Sequence, residues 1–341
     1  MNIPRMTKRY RRFSWLSDIR GIRSTIAELR GYGHPAQPRL DRALFNAGGD
    51  PTIDEQWFVE TIKGKVLNSA EGTMEFPFLG ERIFEEPLVG FVRGDDPLLP
   101  RFKEIIGPHH FTPHEMISWQ AAKNNVPAPR EHEISVVSFI LPIAEPARRD
   151  NAVSKLWPAE RWAQTRLIGE IFSQFIVRGI VTDLMARGIL AISPDVTSMF
   201  NKKRYPRVGW ASPWSHRHYA YAAGLGTFGM HDFLITPAGA GHRCASFVVA
   251  RKLKPDRERP ADIHAGCLQF QGKDCLACAK RCPVGAISDK GHDKELCYQH
   301  VKKSVKYCNS NYHIFIYGCG LCSTGVPCES QDPASKKTGR G

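Results

Sequence analysis

Apolar and polar positions in the middle of the chain predict a strand, a long helix and a second strand. Residues 133–141 are mostly apolar, rich in β-branched side chains, and stop at Pro142, which is typical of a buried strand. Pro158 fits the first turn of a helix whose apolar residues recur every four to five positions up to Gly188. Residues 189–192 predict the next strand. This order is typical of a crossover unit in an α/β core.

The length of 341 residues suggests two domains, or one domain with a smaller appendage, and a composition of 42% hydrophobic and 24% charged residues is that of an ordinary globular protein. The best apolar run, Ile134 to Ile143, contains two serines and a proline, so we expect no membrane-spanning helix.

Positive charge is concentrated at the two ends of the chain. The net charge is +13, and residues 31–300 carry only +3 of it. Basic ends favour an anionic partner such as RNA, or they keep the protein in solution. Arg11-Arg12-Phe13 is not followed by the apolar region of an export signal, so we expect a cytoplasmic protein.

Nine of the ten cysteines lie between residues 267 and 328, and reduced thiols that close together usually share a metal. Their spacing includes Cys275-x2-Cys278-x3-Cys282-Pro283, which is typical of bacterial iron-sulfur proteins, although Gly272 stands where the first cysteine is expected. Two cubanes need eight thiolates. The eight candidates are Cys267, Cys275, Cys278, Cys282, Cys297, Cys319, Cys322 and Cys328.

In two-cluster ferredoxins the cysteine before the proline ligates the neighbouring cluster. Cys267, Cys275, Cys278 and Cys328 would then hold one [4Fe-4S] cluster. Cys282, Cys297, Cys319 and Cys322 would hold the other. Cys244 is interpreted as a small buried hydrophobe, and Cys308 is an alternative ligand to Cys297. Two four-thiolate zinc sites are the rival interpretation, which the x3-Cys-Pro spacing disfavours.

A glycine-rich segment precedes the cysteines and does not have the context of a dinucleotide-binding fingerprint. It reads Ala223-Gly224-Leu225-Gly226-x-x-Gly229-x-His231-x-x-Leu234-Ile235-Thr236-Pro237. Together with Cys282-Pro283-x-Gly285-Ala286-Ile287 and Tyr317-Gly318-Cys319-x-x-Cys322, it resembles the epoxyqueuosine reductases and their relatives, the reductive dehalogenases, over residues 130–328.

The resemblance implies an α/β (α+β), nitroreductase-like core that binds cobalamin, followed by a ferredoxin-like module with two [4Fe-4S] clusters that reduce the cobalt. The implied domains are an N-terminal extension (1–130), the core (131–260), the cluster module (261–330) and a flexible basic tail (331–341). The implied cofactor-binding residues are Gly224, Leu225, Gly226, Gly229, His231, Leu234, Ile235 and Thr236.

Two departures from the family limit what the resemblance implies. Trp210 stands where epoxyqueuosine reductases carry an acidic proton donor, which disfavours epoxyqueuosine as the substrate, while Pro213 and Arg217 match the family. The N-terminal extension matches nothing in the family. It is either a structural extension or a cap over the cofactor pocket, and the phenylalanines proposed for such a cap are Phe76, Phe78, Phe84 and Phe91.

Candidate proton donors cluster just before the glycine-rich segment, where His216, His218, Tyr219 and Tyr221 lie within six residues. Histidine titrates near neutrality, and tyrosine needs a cation such as Arg217 beside it. We predict His216, Arg217 and Tyr219 as the catalytic residues. His109, His110, His114 and Glu115 could also bind a metal, but their spacing favours a loop.

The sequence therefore predicts a cytoplasmic iron-sulfur, cobalamin-dependent oxidoreductase that reduces or reductively cleaves a small organic substrate, with dehalogenation as one candidate. Its expected partner is a low-potential electron donor of the ferredoxin or flavodoxin type, and we expect no membrane contact. One alternative is an electron-transfer or corrinoid-activating protein. The other is a tRNA-modifying enzyme, which Trp210 disfavours.

Overall fold

The computed structural model describes residues 39–75, 77–205 and 208–335, so the basic N-terminal end lies outside the described residues. The helices in these ranges are α1 (Arg42–Asn46), α2 (Glu55–Asn68), α3 (Leu98–Ile105), α4 (Pro113–Lys123), α5 (Glu145–Val153), α6 (Glu160–Ala186), α7 (His216–Ala222), α8 (Ala277–Arg281) and α9 (Lys294–Tyr312). Short 3-10 turns cover Ala70–Gly72, Glu131–Glu133, Pro194–Val196 and Leu321–Ser323. None of the described helices is long and apolar enough to cross a membrane.

The strands form one central sheet and three small hairpins. They are β1 (Leu88–Arg93), β2 (Ser135–Pro142), β3 (Ala191–Ile192), β4 (Lys203–Tyr205), β5 (Gly209–Ala211), β6 (Thr227–Phe228), β7 (Leu234–Ile235), β8 (His242–Val249), β9 (Ile287–Ser288) and β10 (Gly291–His292). The central sheet has the order β1-β2-β8-β3, with every neighbouring pair antiparallel. The mixed α/β architecture expected from the sequence is confirmed.

The predicted strand-helix-strand unit is present as β2, α6 and β3. β2 and β3 run in the same direction because each is antiparallel to β8, but β8 lies between them. All eight residues of β2 are buried, which explains its nearly continuous apolar sequence. Helices α6 and α7 pack against the sheet and exclude water from it.

The boundary predicted at residue 130 does not divide the core. β1 pairs with β2 along its whole length, with Leu88 opposite Ile140 and Arg93 opposite Ser135. Buried residues from Leu40 to Leu253 form one continuous hydrophobic core. The physical reason is that a buried central strand needs backbone partners on both edges, and β1 supplies one of them.

The phenylalanines proposed as a pocket cap have other roles where they are described. Phe84 and Phe91 are buried in the core, at 2% and 1% exposure. The guanidinium of Arg161 lies 4.1 Å above the ring of Phe78. Phe76 lies outside the described residues. These contacts fit the interpretation of residues 1–130 as a structural extension. Helix α3 is the exception, because it reaches the site described below.

The cysteine-rich segment, residues 267–328, contains the long helix α9 and otherwise short elements, and polar anchors hold it to the core. Arg281, at the end of α8, donates hydrogen bonds to four backbone carbonyls, those of Asn151, Ser154, Leu321 and Thr324, at 2.9–3.3 Å. The buried Asn151 side chain donates to the Cys319 carbonyl at 3.2 Å. These bonds tie the cysteine-rich turns to α5, so the segment is docked on the core through backbone carbonyls.

Candidate functional site

Four cysteines line one narrow cavity beside β7. This first cysteine group consists of Cys267, Cys275, Cys278 and Cys328. Burial raises the pKa of Cys278 to about 11 and that of Cys328 to about 12, and in both cases neighbouring thiols of the same group raise it further. The four thiols therefore lie near one another in a poorly hydrated place, as the cross-over rule predicts.

A second set of thiols converges where α8 meets the 3-10 turn at residues 321–323. This second cysteine group consists of Cys282, Cys297, Cys319 and Cys322. Burial raises the pKa of Cys319 to about 11, with further contributions from Cys297 and Cys282. Burial also raises the pKa of Cys322. The other three thiols of the group, and Cys278 of the first group, raise it further. The two groups are therefore neighbours.

The two remaining cysteines lie apart from both groups. Cys308 is fully buried in an apolar cluster with Ala163, Ile314 and Ile316, so it is not placed to replace Cys297. Cys244 lies in β8, opposite Ile140 of β2. Burial raises the pKa of each of these thiols to about 12, which is typical of inert structural cysteines.

The spacing of the thiols bears on the choice between zinc and iron-sulfur clusters. Among the residues that the structure describes, no three His, Cys, Asp or Glu side chains are close enough to hold a single metal ion. Zinc draws four sulfur atoms together through bonds of about 2.3 Å. A cubane separates its four thiolates more widely, and the choice of clusters over zinc rests on the Cys278-x3-Cys282-Pro283 spacing in the sequence.

Backbone pairing brings Cys328 to the first group from the far end of the segment. The amide of Ala240 donates to the Cys328 carbonyl at 2.7 Å, and that of Gly241 donates to the Glu329 carbonyl at 2.9 Å. Gly239 has φ +81°, and a Cβ there would lie 2.3 Å from the Glu329 oxygen. Glycine is therefore required for this approach.

The tautomer of His231 can be assigned from its two partners. Its Nδ1 accepts a hydrogen bond from the Phe233 amide at 3.1 Å, so its proton is on Nε2. Nε2 lies 3.4 Å from the Cys328 sulfur and donates to it. Burial lowers the pKa of His231 to about 4, which keeps the imidazole neutral. His231 thus contacts a thiol of the first group.

A second histidine links the other group to the surface of a large cavity. His292 Nδ1 lies 3.0 Å from Asp232 Oδ2. Burial lowers the pKa of His292, but its hydrogen bond to Asp232 and the neighbouring Cys297 thiol outweigh burial and raise the pKa to about 9. Asp232 has the left-handed φ of +61°, which aspartate tolerates better than most residues.

A cavity of about 1120 Å³ opens beside the two cysteine groups. Its walls come from α3, the β4–β5 hairpin, α7, the segment 259–264 and α9. Trp210, Phe102 and Phe228 contribute aromatic surface. The volume exceeds the 300–1,000 Å³ or so of a common small-molecule pocket. The cavity can therefore hold a large ligand.

The glycine-rich segment separates this cavity from the first cysteine group. Phe228 and Asp232 line the large cavity, whereas Met230, His231 and Ile235 line the narrow cavity with the four cysteines. Residues of one short stretch thus contact both spaces.

The predicted cofactor-binding residues lie on the cluster side of this segment or within its turns. A Cβ on Gly226 would lie 2.3 Å from the Ile235 carbonyl oxygen, and one on Gly229 would lie 2.6 Å from the His231 ring. Gly224 has φ +72°. Leu225 and Leu234 are buried in the core, and the Thr236 hydroxyl donates to the Gly239 carbonyl at 2.8 Å. None of the eight residues lines the large cavity.

Of the three predicted catalytic residues, only Arg217 lines the cavity. Tyr219 is fully buried, donates to the Phe111 carbonyl at 2.9 Å, and has a pKa well above its ordinary value because of burial. His216 lies between Ser246 Oγ, at 2.8 Å, and Asp195 Oδ2, at 3.4 Å. The side chains of His216 and Tyr219 lie on the face of α7 that does not line the cavity.

His218 and Tyr221, which the sequence analysis noted but did not select, do line the cavity. His218 Nδ1 lies 2.7 Å from Ser215 Oγ, and burial, followed by the charge of Arg217, lowers its pKa to about 3. The Tyr221 hydroxyl donates to the Pro260 carbonyl at 3.0 Å. The signal that distinguishes these residues is helical phase, since Arg217, His218 and Tyr221 share one face of a helix.

The predicted metal-binding alternative at residues 109–115 is a helix start. Glu115 and Thr112 form a reciprocal capping box at the beginning of α4. His109 bonds to the Tyr205 hydroxyl at 2.7 Å, and His110 Nε2 accepts from the Ser215 amide at 3.1 Å. His109, His110 and Glu115 therefore have separate structural roles, and His114 and Glu115 lie in α4 and not in the loop that the spacing favoured.

Comparison with known proteins confirms the predicted resemblance. No protein-family model matches the chain. A tetrachloroethene reductive dehalogenase from Desulfitobacterium hafniense is 31% identical over 114 residues, which are 33% of this chain and 20% of that protein. The chain thus spans about a fifth of the length of this curated relative.

Similar solved structures include a reductive dehalogenase whose description concerns B12-dependent dehalogenation, with a TM-score of 0.44 and 16% identity over 72% of this chain and 30% of that one. A catabolic reductive dehalogenase in complex with 3-bromo-4-hydroxybenzoic acid has a TM-score of 0.42 at 16% identity, covering 81% and 36% of the two chains. An epoxyqueuosine reductase has a TM-score of 0.39 at 16% identity, covering 80% and 66%.

Proposed function

We propose that the protein is an iron-sulfur oxidoreductase that reduces a small organic substrate at a corrinoid, with reductive dehalogenation as the favoured reaction. The observation that carries the proposal is the arrangement of two groups of four cysteines beside a cavity of about 1120 Å³, with one short segment contacting both the cavity and the first group. Electron carriers and a reaction chamber would then be neighbours.

The donor sets support two [4Fe-4S] clusters. Each group offers four thiols, the number that one cubane needs, and all eight are buried or half-buried. The first cysteine group would hold one cluster and the second cysteine group the other. Cysteine binds metal as the thiolate, so cluster binding would release protons from thiols such as Cys322 and Cys328, whose pKa is raised by burial and by neighbouring thiols.

The large cavity supports a corrinoid in size and in lining. A flat macrocycle needs wide apolar walls, and Phe102, Trp210 and Phe228 supply them. Arg217 and Tyr221 offer polar groups on the same surface. When bound, the clusters would supply single electrons at potentials within about −700 to +450 mV, and the corrinoid would supply the metal centre for reduction of the substrate.

The chain's own residues would hold protons and position the ligands. His218 is neutral at pH 7 and is oriented by Ser215 Oγ at 2.7 Å, so its ring is a fixed hydrogen-bonding group on the cavity wall. Tyr221 is the second candidate proton donor on this wall. The Arg217 guanidinium donates to the Asp232 carbonyl, which braces the segment between the cavity and the cysteines.

The match to a tetrachloroethene reductive dehalogenase favours dehalogenation over the other reductive reactions. The tRNA-modifying alternative rests on the basic ends of the chain and on the resemblance to epoxyqueuosine reductases, and we do not adopt it because Trp210 disfavours it. A cytoplasmic location and a donor of the ferredoxin or flavodoxin type complete the proposal.

Metal analysis tests the proposal directly. The protein should be expressed with added cobalamin and purified without oxygen, and its iron, sulfide, zinc and cobalt should be counted per chain. We expect about eight irons and one cobalt, since each cubane holds four irons. Iron without cobalt, after incubation of the pure protein with cobalamin, would overturn the corrinoid, and zinc in place of iron would overturn the clusters.

A further inference from the structure

The cavity wall carries far more positive than negative charge. Six basic side chains line it, against Asp232 as the one acidic side chain among the lining residues that the structure describes. The basic residues are Arg101, Lys202, Arg217, Arg259, Lys294 and Lys302. Five of the six lie within residues 31–300, which together carry only +3, so most of this excess is a local feature of the cavity.

Three of these cations already have partners in the protein. Arg259 pairs with Asp96 at 3.0 Å. Lys294 Nζ lies 3.5 Å from Asp232 Oδ2, and Arg217 donates to the Asp232 carbonyl. Their charges are therefore largely committed to holding the wall together.

The other three form what we call the mouth triad, Arg101, Lys202 and Lys302. Arg101 comes from α3, Lys202 precedes β4, and Lys302 lies on α9, so three distant parts of the chain bring a cation to one cavity. All three are exposed. None forms an ion pair or a hydrogen bond within the described ranges of the chain, and the charge of Lys202 acts on the phenol of Tyr317, whose pKa it helps to lower.

Unpaired cations around an opening with low-dielectric walls concentrate the electric field and attract anions from solution. That effect is most useful for a ligand that enters from solvent in every turnover. Aromatic surface lies on the same wall, since the rings of Trp210 and Tyr298 are 6.0 Å apart and both residues line the cavity. The combination suits a small ligand with an apolar body and one anionic group.

We propose that the substrate is a small organic anion whose carboxylate or phosphate group is bound by the mouth triad. The proposal rests on the proposed function for its reaction, but the binding step requires neither electrons nor turnover. It also assigns a role to residues in three segments that no motif singles out.

Calorimetric titration of the full-length, anaerobically reconstituted protein tests the proposal with two probes of similar shape, 3-chlorobenzoate and the neutral 3-chlorobenzamide. We expect the benzoate to bind about tenfold more tightly, with a preference that weakens in high salt. The triple variant Arg101→Gln, Lys202→Gln, Lys302→Gln should lose this preference. Lys303→Gln is the matched control, because Lys303 is an exposed neighbour of Lys302 on α9 that does not line the cavity.

Circular dichroism and the iron and cobalt content of the same samples separate loss of the site from loss of fold or cofactor. Equal affinity for the two probes, or a preference that persists in the triple variant, would overturn the proposal. Cobinamide lacks the nucleotide phosphate of cobalamin. The proposal is also overturned if the triple variant loses affinity for cobalamin but not for cobinamide, while its affinity for benzoate is unchanged. The proposal is likewise overturned if the triple variant binds an RNA hairpin less tightly but binds benzoate as before.

Discussion

The sheet core and the cysteine-rich segment are held together in different ways. The core buries whole strands, and its apolar side chains form one continuous cluster from Leu40 to Leu253. The cysteine-rich segment has only a few buried apolar residues, such as Ile287 and Val326, and cysteines make up much of its interior. Its order depends on polar anchors such as Arg281, and on whatever the thiols bind.

This difference implies that the two regions respond to different kinds of damage. Removing apolar volume should destabilise the core, because dispersion and burial hold it together. Removing a ligand or an anchor should affect the cysteine-rich segment and leave the core folded. The four predictions below test this division.

The largest effect should come from removing one thiolate of a cluster. Cys322→Ser should lower the iron content from about eight to about four per chain, because a cubane needs four thiolates. Cys308→Ser is the matched control, since Cys308 is buried outside both groups. Iron analysis after anaerobic reconstitution measures the result, and equal iron loss in both variants would contradict the assignment of ligands.

Truncating a core side chain should be the next largest effect. Phe139→Ala in β2 should lower the free energy of unfolding by about 3–5 kcal/mol, because it opens a cavity in a fully buried strand. Phe175→Ala is its control, with 46% of the residue exposed on α6. Urea unfolding followed by circular dichroism compares the two, and similar losses would show that burial is not what stabilises the sheet.

Replacing the principal anchor should have an intermediate effect. Arg281→Lys keeps the charge but cannot reach four carbonyls with one planar group, and we expect a loss of about 2–3 kcal/mol confined to the cysteine-rich segment. Limited proteolysis should cut that segment faster while the sheet resists. Lys280→Gln, at the exposed neighbouring position, should behave like the parent protein; global unfolding of Arg281→Lys would contradict the division into two regions.

The smallest effect should be on the redox potential of a cluster. His231→Phe removes the hydrogen bond to the Cys328 sulfur in a closely packed site, and we expect the midpoint potential of the first cluster to fall by roughly 40 mV, since such donors stabilise the reduced cluster. Redox titration followed by paramagnetic resonance measures the shift. His300→Phe, which loses a bond to the Leu156 carbonyl, is the control that should leave the potential unchanged.

Much of this division could be predicted from the sequence. The strand predicted at 133–141 is observed as Ser135–Pro142, and the long helix as Glu160–Ala186, because strong apolar patterns determine these elements locally. The pairing of thiols into two groups was predicted from the cross-over rule of two-cluster ferredoxins, and no local pattern links Cys328 to the first group. The antiparallel neighbour β8 could not be placed, because it is distant in the chain.

The lining of the large cavity was harder to predict. It depends on which face of a helix points inward and on which distant segments of the chain meet. In the seven-residue helix α7 nearly every side chain is aromatic or basic, so the sequence does not indicate which face is buried. His216 and Tyr219 were chosen where His218 and Tyr221 face the cavity. The mouth triad combines three segments more than 90 residues apart, and no local pattern links them.

The segment that contacts the large cavity through Asp232 and the first cysteine group through His231 also acts as a partition. Consecutive residues touch opposite spaces, so the partition is a single chain thick at this point. A barrier that thin stops molecules but not electrons, which pass through a few bonds and van der Waals contacts by tunnelling. Under the proposed function, this partition would keep a substrate in the cavity away from the thiols of the first group while leaving the two close enough for electron transfer.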